Sequence, residues 1–528
     1  MAQHLLSLLV FLPLVALVVV LGIPATARPG VFRAILSLVT GGQLALAAYL
    51  YWGFDPAFTG LTDPGTMAYA ERADWITLRM GGLGELSIDY FVGVDGLSMP
   101  LVLLATVVLC AGAVASHTIG RRVKGYAALY LLLSTSVVGC FVALDFFLFF
   151  LFFEFMLLPM YFLIGIWGGA RREYAAIKFF LYTLVGSVCI LLVMIGLYLS
   201  VADPGGVHTF DILAMTQPDL FVPGALLHPA SGVRLAGLPL REVAFLLLFA
   251  GFAVKLPAVP VHTWLPDAHV EAPTPISVVL AGILLKVGAY GLLRIAYPVF
   301  PAEAAHYATL VGGLGTLSIL YAALNALAAD DLKRMVAYSS VSHMGFVLVG
   351  IASVTVEGVS GAVYMLFSHG VLSALLFLLV GVLYERTHDK AISNYRGLAG
   401  PMPHYTAATT IAFFASLGLP GFSGFIGEFF TLIGAFGSEA FPPWVPFGAL
   451  LGLIAGAAYF LWTLQKMFFG PLWTRDAAWQ RYLPDLRPGE KALLYGLGAL
   501  SLVLGLFPHL LFDKMEITLT HWVAWIVK

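Results

Sequence analysis

The feature that most constrains this chain is the recurrence of uninterrupted apolar runs. Each is roughly 20 residues long, the length that spans a bilayer as helix. A hydropathy criterion places about fourteen of them, with cores at 5–23, 32–52, 96–116, 125–144, 146–166, 176–200, 240–264, 275–297, 305–327, 335–352, 360–383, 406–435, 446–469 and 492–512. Barrel strands alternate apolar with polar residues, and these runs do not. Only 11% of the 528 residues are charged and 60% are hydrophobic, against roughly 25% charged in a soluble domain. Mean hydropathy is +0.94. The composition excludes a soluble enzyme, a nucleic-acid binder and a disordered chain. It predicts an all-α membrane protein of about fourteen transmembrane helices.

The first run resembles a signal peptide, with Ala25-Thr26-Ala27 like a cleavage site. Its start carries no basic residue, and it exceeds an h-region of ~7–15 residues, so it is read as a membrane helix. Loop charges support the count. Loops after odd-numbered spans carry 17 lysines and arginines, and loops after even-numbered spans plus the C-terminus carry 7. The positive-inside rule turns the first set to the cytoplasm and both termini outward. One missed span would scramble this segregation. Lys178, Lys255 and Lys286 fall in neither set and lie within spans.

Net charge is −2, which implies no global electrostatic partner. Cys110, Cys140 and Cys189 stand alone inside apolar runs, which suits helix packing rather than an iron–sulfur or zinc site. No nucleotide loop stands out, so no cofactor is expected in this chain. Residues 53–94 hold Trp75–Arg79 and Leu86–Tyr90 around a glycine-rich turn, predicting a hairpin on the membrane face. Residues 201–239 read as irregular. The tail 514–528 alternates around Trp522 and Trp525, predicting an interfacial segment or one packed on a neighbour.

Function is sought in the buried charges, because a charge at mid-bilayer costs ~2.5–3.5 kcal/mol or more. Glu154 stands in a run of phenylalanines. Lys255 precedes Pro257 and Pro260, which break a helix. Lys286 is mid-helix, and Glu428 follows a second break at Gly418-Leu419-Pro420-Gly421. The bland alternative for these four is a structural ion pair. Lys178, beside the basic stretch 171–172, can simply snorkel. Imidazole titrates near neutrality, which makes His343, His369 and His262 candidate relays. A satisfied buried histidine is the competing reading. Asp145, in the tight turn before Phe146, is expected to cap a helix or orient the approach to Glu154.

The two broken helices are the seventh and the twelfth, five spans apart. An odd block length inverts topology, so the pattern predicts an inverted repeat of spans 4–8 and 9–13, the arrangement of ion transporters. This divides the chain into 1–123 (three helices and the hairpin), 124–300 and 301–470 (the two repeats), and 471–528 (a last helix and the tail).

The blocks Gly93-Val94-Asp95-Gly96-Leu97-Ser98, Phe153–Tyr161, Lys255-Leu256-Pro257, His262–His269 and Glu271–Pro275 resemble the antiporter-like subunits of respiratory complex I. The superfamily also includes multisubunit sodium/proton antiporters. Within it the chain is similar to the M-type branch. It lacks a long lateral helix, it carries Met156–Ile164 with Trp167-Gly168-Gly169, and it has Glu428 where other branches usually carry lysine. The resemblance implies a proton-translocating subunit of NADH–quinone oxidoreductase in the bacterial inner membrane. In it Glu154 and Lys255 would be a coupled pair, Lys286 the central relay, and Glu428 the outward or onward donor. His343, His369 and His262, with Lys178 and Asp145, would assist. NADH, FMN, iron–sulfur clusters and quinone are expected in partner subunits. The expected partners are other membrane subunits, including two sister antiporter-like subunits, and lipids, with no nucleic acid. A sodium/proton antiporter subunit and a scaffold glued by buried charges are the competing readings.

Overall fold

The computed structural model describes residues 4–61, 64–79, 85–476, 478–479 and 483–528. The expected turn at 80–84, the Arg79 side chain and Arg481 lie outside the described residues.

Among the described residues, twelve helices are long and apolar enough to cross a membrane. They are α1 (Leu5–Gly22), α2 (Pro29–Gly53), α3 (Ser98–Ala115, running on to Thr118), α4 (Val123–Val142), α5 with α6 (Phe146–Phe155 and Leu157–Trp167, one span divided at Met156) and α7 (Arg172–Tyr198). Then follow α10 (Thr274–Val299), α11 (Ala308–Ala328), α12 (Leu332–Ala352), α13 (Val356–Thr387), α16 (Trp444–Phe468) and α17 (Pro488–Leu506). The two runs expected to be broken are each two shorter helices. These are α8 (Leu240–Lys255) with α9 (Trp264–Glu271), and α14 (Pro403–Ser416) with α15 (Ser423–Phe436).

The breaks have local causes. Pro257 and Pro260 cannot donate backbone hydrogen bonds, so α8 stops and the chain turns before α9. The freed groups find partners: Val254 O accepts from Trp264 Nε1 (2.8 Å), and Val259 N donates to Ser318 Oγ (2.9 Å). In the second break Gly418 and Gly421 adopt φ of +79° and +100°, a conformation costly for any residue with a Cβ. Non-helical backbone at membrane depth is tolerated where protein or a wet cavity surrounds it.

Burial separates inner from outer helices. The side chains of α10 and most of those of α12 and α13 are enclosed. Helices α1, α2, α7 and α16 expose Val18, Leu38, Val185 and Ile454, as surfaces against hydrocarbon do. Helix α10 is not a plain α-helix as its apolar pattern suggested. It holds two π segments, Leu280–Leu284 and Leu292–Ala296, a form that concentrates at functional sites.

One backbone device occurs twice. At the α4–α5 turn, Phe146 N donates to Phe210 O (2.8 Å) and Ile212 N to Leu144 O (2.9 Å). At the α11–α12 turn, Leu332 N donates to Lys390 O (2.8 Å) and Ile392 N to Asp330 O (2.6 Å). Asp145 and Asp331 cap the helices that follow, accepting from Leu148 N and Arg334 N, each at 2.9 Å. Each turn is thus latched to the loop that follows the second span after it.

The hairpin forms as expected and is longer than expected. Strand β1 (Ala68–Arg79) pairs antiparallel with β2 (Glu85–Val94), with Ala73 opposite Tyr90 and Leu78 opposite Leu86. Residues 201–239 are largely irregular, with a one-turn helix at Ile212–Met215, a 3-10 turn at Pro218–Leu220 and a two-residue ladder, Arg234–Leu235 with Leu238–Pro239. The tail corrects its reading. It is a 19-residue helix, α18 (His509–Val527), with Met515, Leu519 and Trp522 buried on this chain itself. Trp522 Nε1 donates to Leu293 O (2.7 Å) and Trp525 Nε1 to Pro298 O (3.0 Å). Apolar positions three and four residues apart suit a helix face equally well, and Leu293 O of the second π segment and Pro298 O just beyond it supply acceptors.

Candidate functional site

The enclosed helices carry a row of ionisable side chains. Lys286 is fully buried on α10. Its Nζ donates to Ala281 O (2.6 Å), five residues back in the first π segment, and lies 2.7 Å from His369 Nδ1 on α13. Both partners are uncharged groups when the imidazole is neutral, so neither of them neutralises the ammonium. The His369 ring is 5.3 Å from the His343 ring on α12. His343 Nε2 lies 3.1 Å from Ser416 O, a carbonyl at the end of α14, and 3.7 Å from Glu428 Oε1 on α15. Four of the expected residues, from α10, α13, α12 and α15, therefore meet in one continuous run.

Hydroxyls accompany it. Ser339, Ser373 and Ser416 line a small cavity with His343 and His369. Ser368 Oγ donates to Ser423 Oγ (2.7 Å), which lies 2.9 Å from Ser501 Oγ. The cavity is about 10 Å³, at the lower limit of the space one water needs.

The other end of the row is less tightly joined. Lys255 is buried at the end of α8. Its Nζ donates to Phe153 O (3.3 Å) and sits 3.9 Å from the centroid of the Phe153 ring. It therefore meets the residue before Glu154 rather than its carboxylate. Glu154 is half-buried, and its Oε1 has no hydrogen-bond partner among the described residues. The two helices are in contact at this point, and among the described residues no ion pair joins the two side chains. Gly288 lets α10 approach the same break: a Cβ there would lie 2.7 Å from both Leu256 N and Phe252 O.

The remaining expected residues sit apart. Lys178 forms an ion pair with Asp267 of α9 (2.7 Å), which Arg334 also reaches (3.4 Å). His262 is buried between the rings of Tyr321 and Tyr338. Asp145 caps α5 and also accepts from Asp89 N (3.3 Å). Burial pushes its carboxyl up to about 7. Beside it, Arg72 of the hairpin bridges Asp89 (2.7 Å) and Asp211 (2.9 Å).

Sequence reasoning missed three buried groups. Arg294, counted among the loop charges, lies inside the second π segment and pairs with Asp95 at 2.6 Å, both side chains enclosed. Lys333, also counted with the loops, is buried on α12 and donates to Ala272 O (2.5 Å). His269 is enclosed and stacked on Phe377 at 4.4 Å, with both nitrogens unpartnered. Their positions near the ends of apolar runs hid them. Asp95 within Gly93–Ser98 was the one available signal for the Arg294 pair.

Residues 143–452 match the model of a family described as the transmembrane region of NADH:quinone oxidoreductase and Mrp antiporters. The chain is 41% identical over 526 residues to NADH-quinone oxidoreductase subunit M of Rhodobacter capsulatus, covering 99% of this chain and 96% of that one. Its fold superposes on a chain of respiratory complex I from Thermus thermophilus with a TM-score of 0.82 and 32% identity, over 99% of both chains. It superposes on a chain of the Mrp complex from Dietzia sp. with a TM-score of 0.80 and 20% identity, over 100% of this chain and 99% of that one.

Proposed function

The chain belongs to the NADH:quinone oxidoreductase/Mrp antiporter transmembrane family, and on that premise we propose how its buried groups move protons. It is a proton-translocating, antiporter-like membrane subunit of NADH–quinone oxidoreductase. It is a multi-pass membrane protein and part of a multisubunit complex with other membrane subunits. NADH oxidation at FMN and iron–sulfur clusters, and quinone reduction, fall to partner chains. The neighbours are two sister antiporter-like subunits. The membrane is the bacterial inner membrane, with both termini on the outer face, as the basic loops argue.

The observation that carries the mechanism is the contiguous run Lys286–His369–His343–Glu428. Lysine suits the centre of such a relay because burial disfavours its charge, whereas arginine would keep its proton. His369 accepts the proton that Lys286 gives up, His343 passes it on, and Glu428 delivers it outward or to the next subunit. Glu154 and Lys255 form the input pair. Closing their contact stabilises both charges, and opening it drives the proton from Lys255 toward Lys286. His262 serves the cytoplasmic side, Asp145 fixes the start of the helix that carries Glu154, and Lys178 holds α9 through Asp267.

The repeated turn latch supports an inverted repeat of 124–300 and 301–470, because the two turns follow the fourth and the ninth spans and so fall on opposite faces. Lys286→Ala in the intact complex is the direct test. Assembly with lost pumping is expected, and normal pumping would end the relay reading. Sodium-independent transport separates this reading from a sodium/proton antiporter.

A further inference from the structure

A cavity stands away from the row, between the end of α3, the start of α10, the end of α13 and the start of α17. Its volume is about 390 Å³, within the ~300–1,000 Å³ of ligand sites. Val114, Leu378, Val382 and Leu494 make its walls apolar, and His117, Glu385 and Arg487 stand at its mouth. Glu490 also lines the cavity and is already engaged, by Arg386 at 2.7 Å and by the Arg487 N–H at 2.7 Å. No described residue forms an ion pair with Glu385 or Arg487, so two opposite charges flank an apolar groove without closing on each other. The four helix ends belong to loops of the basic set, so the mouth lies at the headgroup level of the cytoplasmic leaflet.

We propose that this cavity binds one phosphatidylethanolamine molecule, with its ammonium on Glu385, its phosphate on Arg487 and an acyl chain between α3, α13 and α17. The charge pattern selects the headgroup. An anionic lipid would set a second negative charge against Glu385. A quaternary ammonium has no N–H to donate to the carboxylate, whereas a primary ammonium has three. The floor of the cavity is where Gly381 of α13 lies against Thr274 of α10. These are the helices that carry His369 and Lys286, and a bound chain would brace their cytoplasmic ends.

The test uses the intact complex, reconstituted in vesicles of equal parts phosphatidylethanolamine, phosphatidylcholine and phosphatidylglycerol. It is then re-extracted in mild detergent, and the retained phospholipids are counted by mass spectrometry. Wild type is expected to keep one more phosphatidylethanolamine than Val114→Trp, which fills the groove from its exposed edge. Glu385→Gln is expected to lower the ratio of retained phosphatidylethanolamine to phosphatidylcholine at this site about tenfold, the worth of one charge-assisted hydrogen bond. Arg487→Gln is expected to lower both. Equal lipid complements in wild type and Val114→Trp, a loss of phosphatidylglycerol instead, or an unchanged ratio in Glu385→Gln overturns the proposal. NADH–quinone activity of each complex reports assembly independently, and all three substituted residues lie outside the proton row.

Discussion

Lys286 Nζ and His369 Nδ1 lie 2.7 Å apart in a part of the protein closed to solvent, and among the described residues neither has a carboxylate partner. A lysine in such a place is stable charged only while a neutral imidazole accepts its hydrogen bond. The pair can therefore hold one proton readily and two only at a cost. That property suits the proposed relay. Lys286→Arg, which keeps charge and length but does not give up its proton, is expected to assemble and to pump at less than about a tenth of the wild-type rate. Quenching of a pH-sensitive dye in vesicles measures it. A near-normal rate with arginine would rule out proton release from this position.

His343 and Glu428 are arranged in series after that pair, with 3.7 Å between Nε2 and Oε1. Serial steps share one rate limit. The double variant His343→Gln with Glu428→Gln is expected to pump within about twofold of the slower single variant. Mild losses in each single variant with a near-complete loss in the double would indicate two parallel paths instead.

Asp145 gives a pH signature outside the spans. Burial raises its carboxyl to about 7, the N–H groups of Leu148 and Asp89 oppose the rise, and the charges of Asp89 and Asp211 add to it. Its unfolded value is ~3.9. Between those values the folded chain binds more protons than the unfolded one, so this group's contribution falls as pH rises through the window and is level above it. Asp145→Asn keeps a capping side chain and removes the titration. Its melting temperature relative to wild type is expected to rise from about pH 5 to 7 and then to plateau. A difference that stays flat across that range contradicts the assignment.

Gly288 sits where α10 crosses the first break, with Phe252 O and Leu256 N each 2.7 Å from any Cβ placed there. Gly288→Ala is expected to destabilise the subunit by ~1–3 kcal/mol through overpacking. It is also expected to depress pumping, because it separates α10 from the segment that bears Lys255. Thermal unfolding and dye quenching on the same preparation test both parts.

Lys178 presents the opposite case. Its partner Asp267 is also reached by Arg334, and the pair keeps some exposure to solvent. Lys178→Met is expected to leave pumping within about twofold of wild type, since such pairs contribute ~0–1 kcal/mol. A tenfold loss would move Lys178 into the proton row.

The sequence was informative wherever one physical scale dominates. Bilayer thickness sets the length of an apolar run, which is why twelve of the expected runs fall on helices long enough to cross a membrane among the described residues. Proline chemistry located the first break, and the cost of a buried charge singled out Lys255, Lys286 and Glu428 with no structure in hand. The same rule failed at Arg294 and Lys333. Near the end of a run, a charge that reaches solvent and a charge that turns inward have the same local sequence. Only the packing of Asp95 and of the Ala272 carbonyl against them decides which it is. The π segments of α10, the order Lys286–His369–His343–Glu428, and the gap between Lys255 and the Glu154 carboxylate were likewise set by tertiary structure. They depend on helices far apart in the chain approaching to within hydrogen-bond distance. A hydropathy pattern fixes which faces avoid water, but it does not encode which helix lies opposite which.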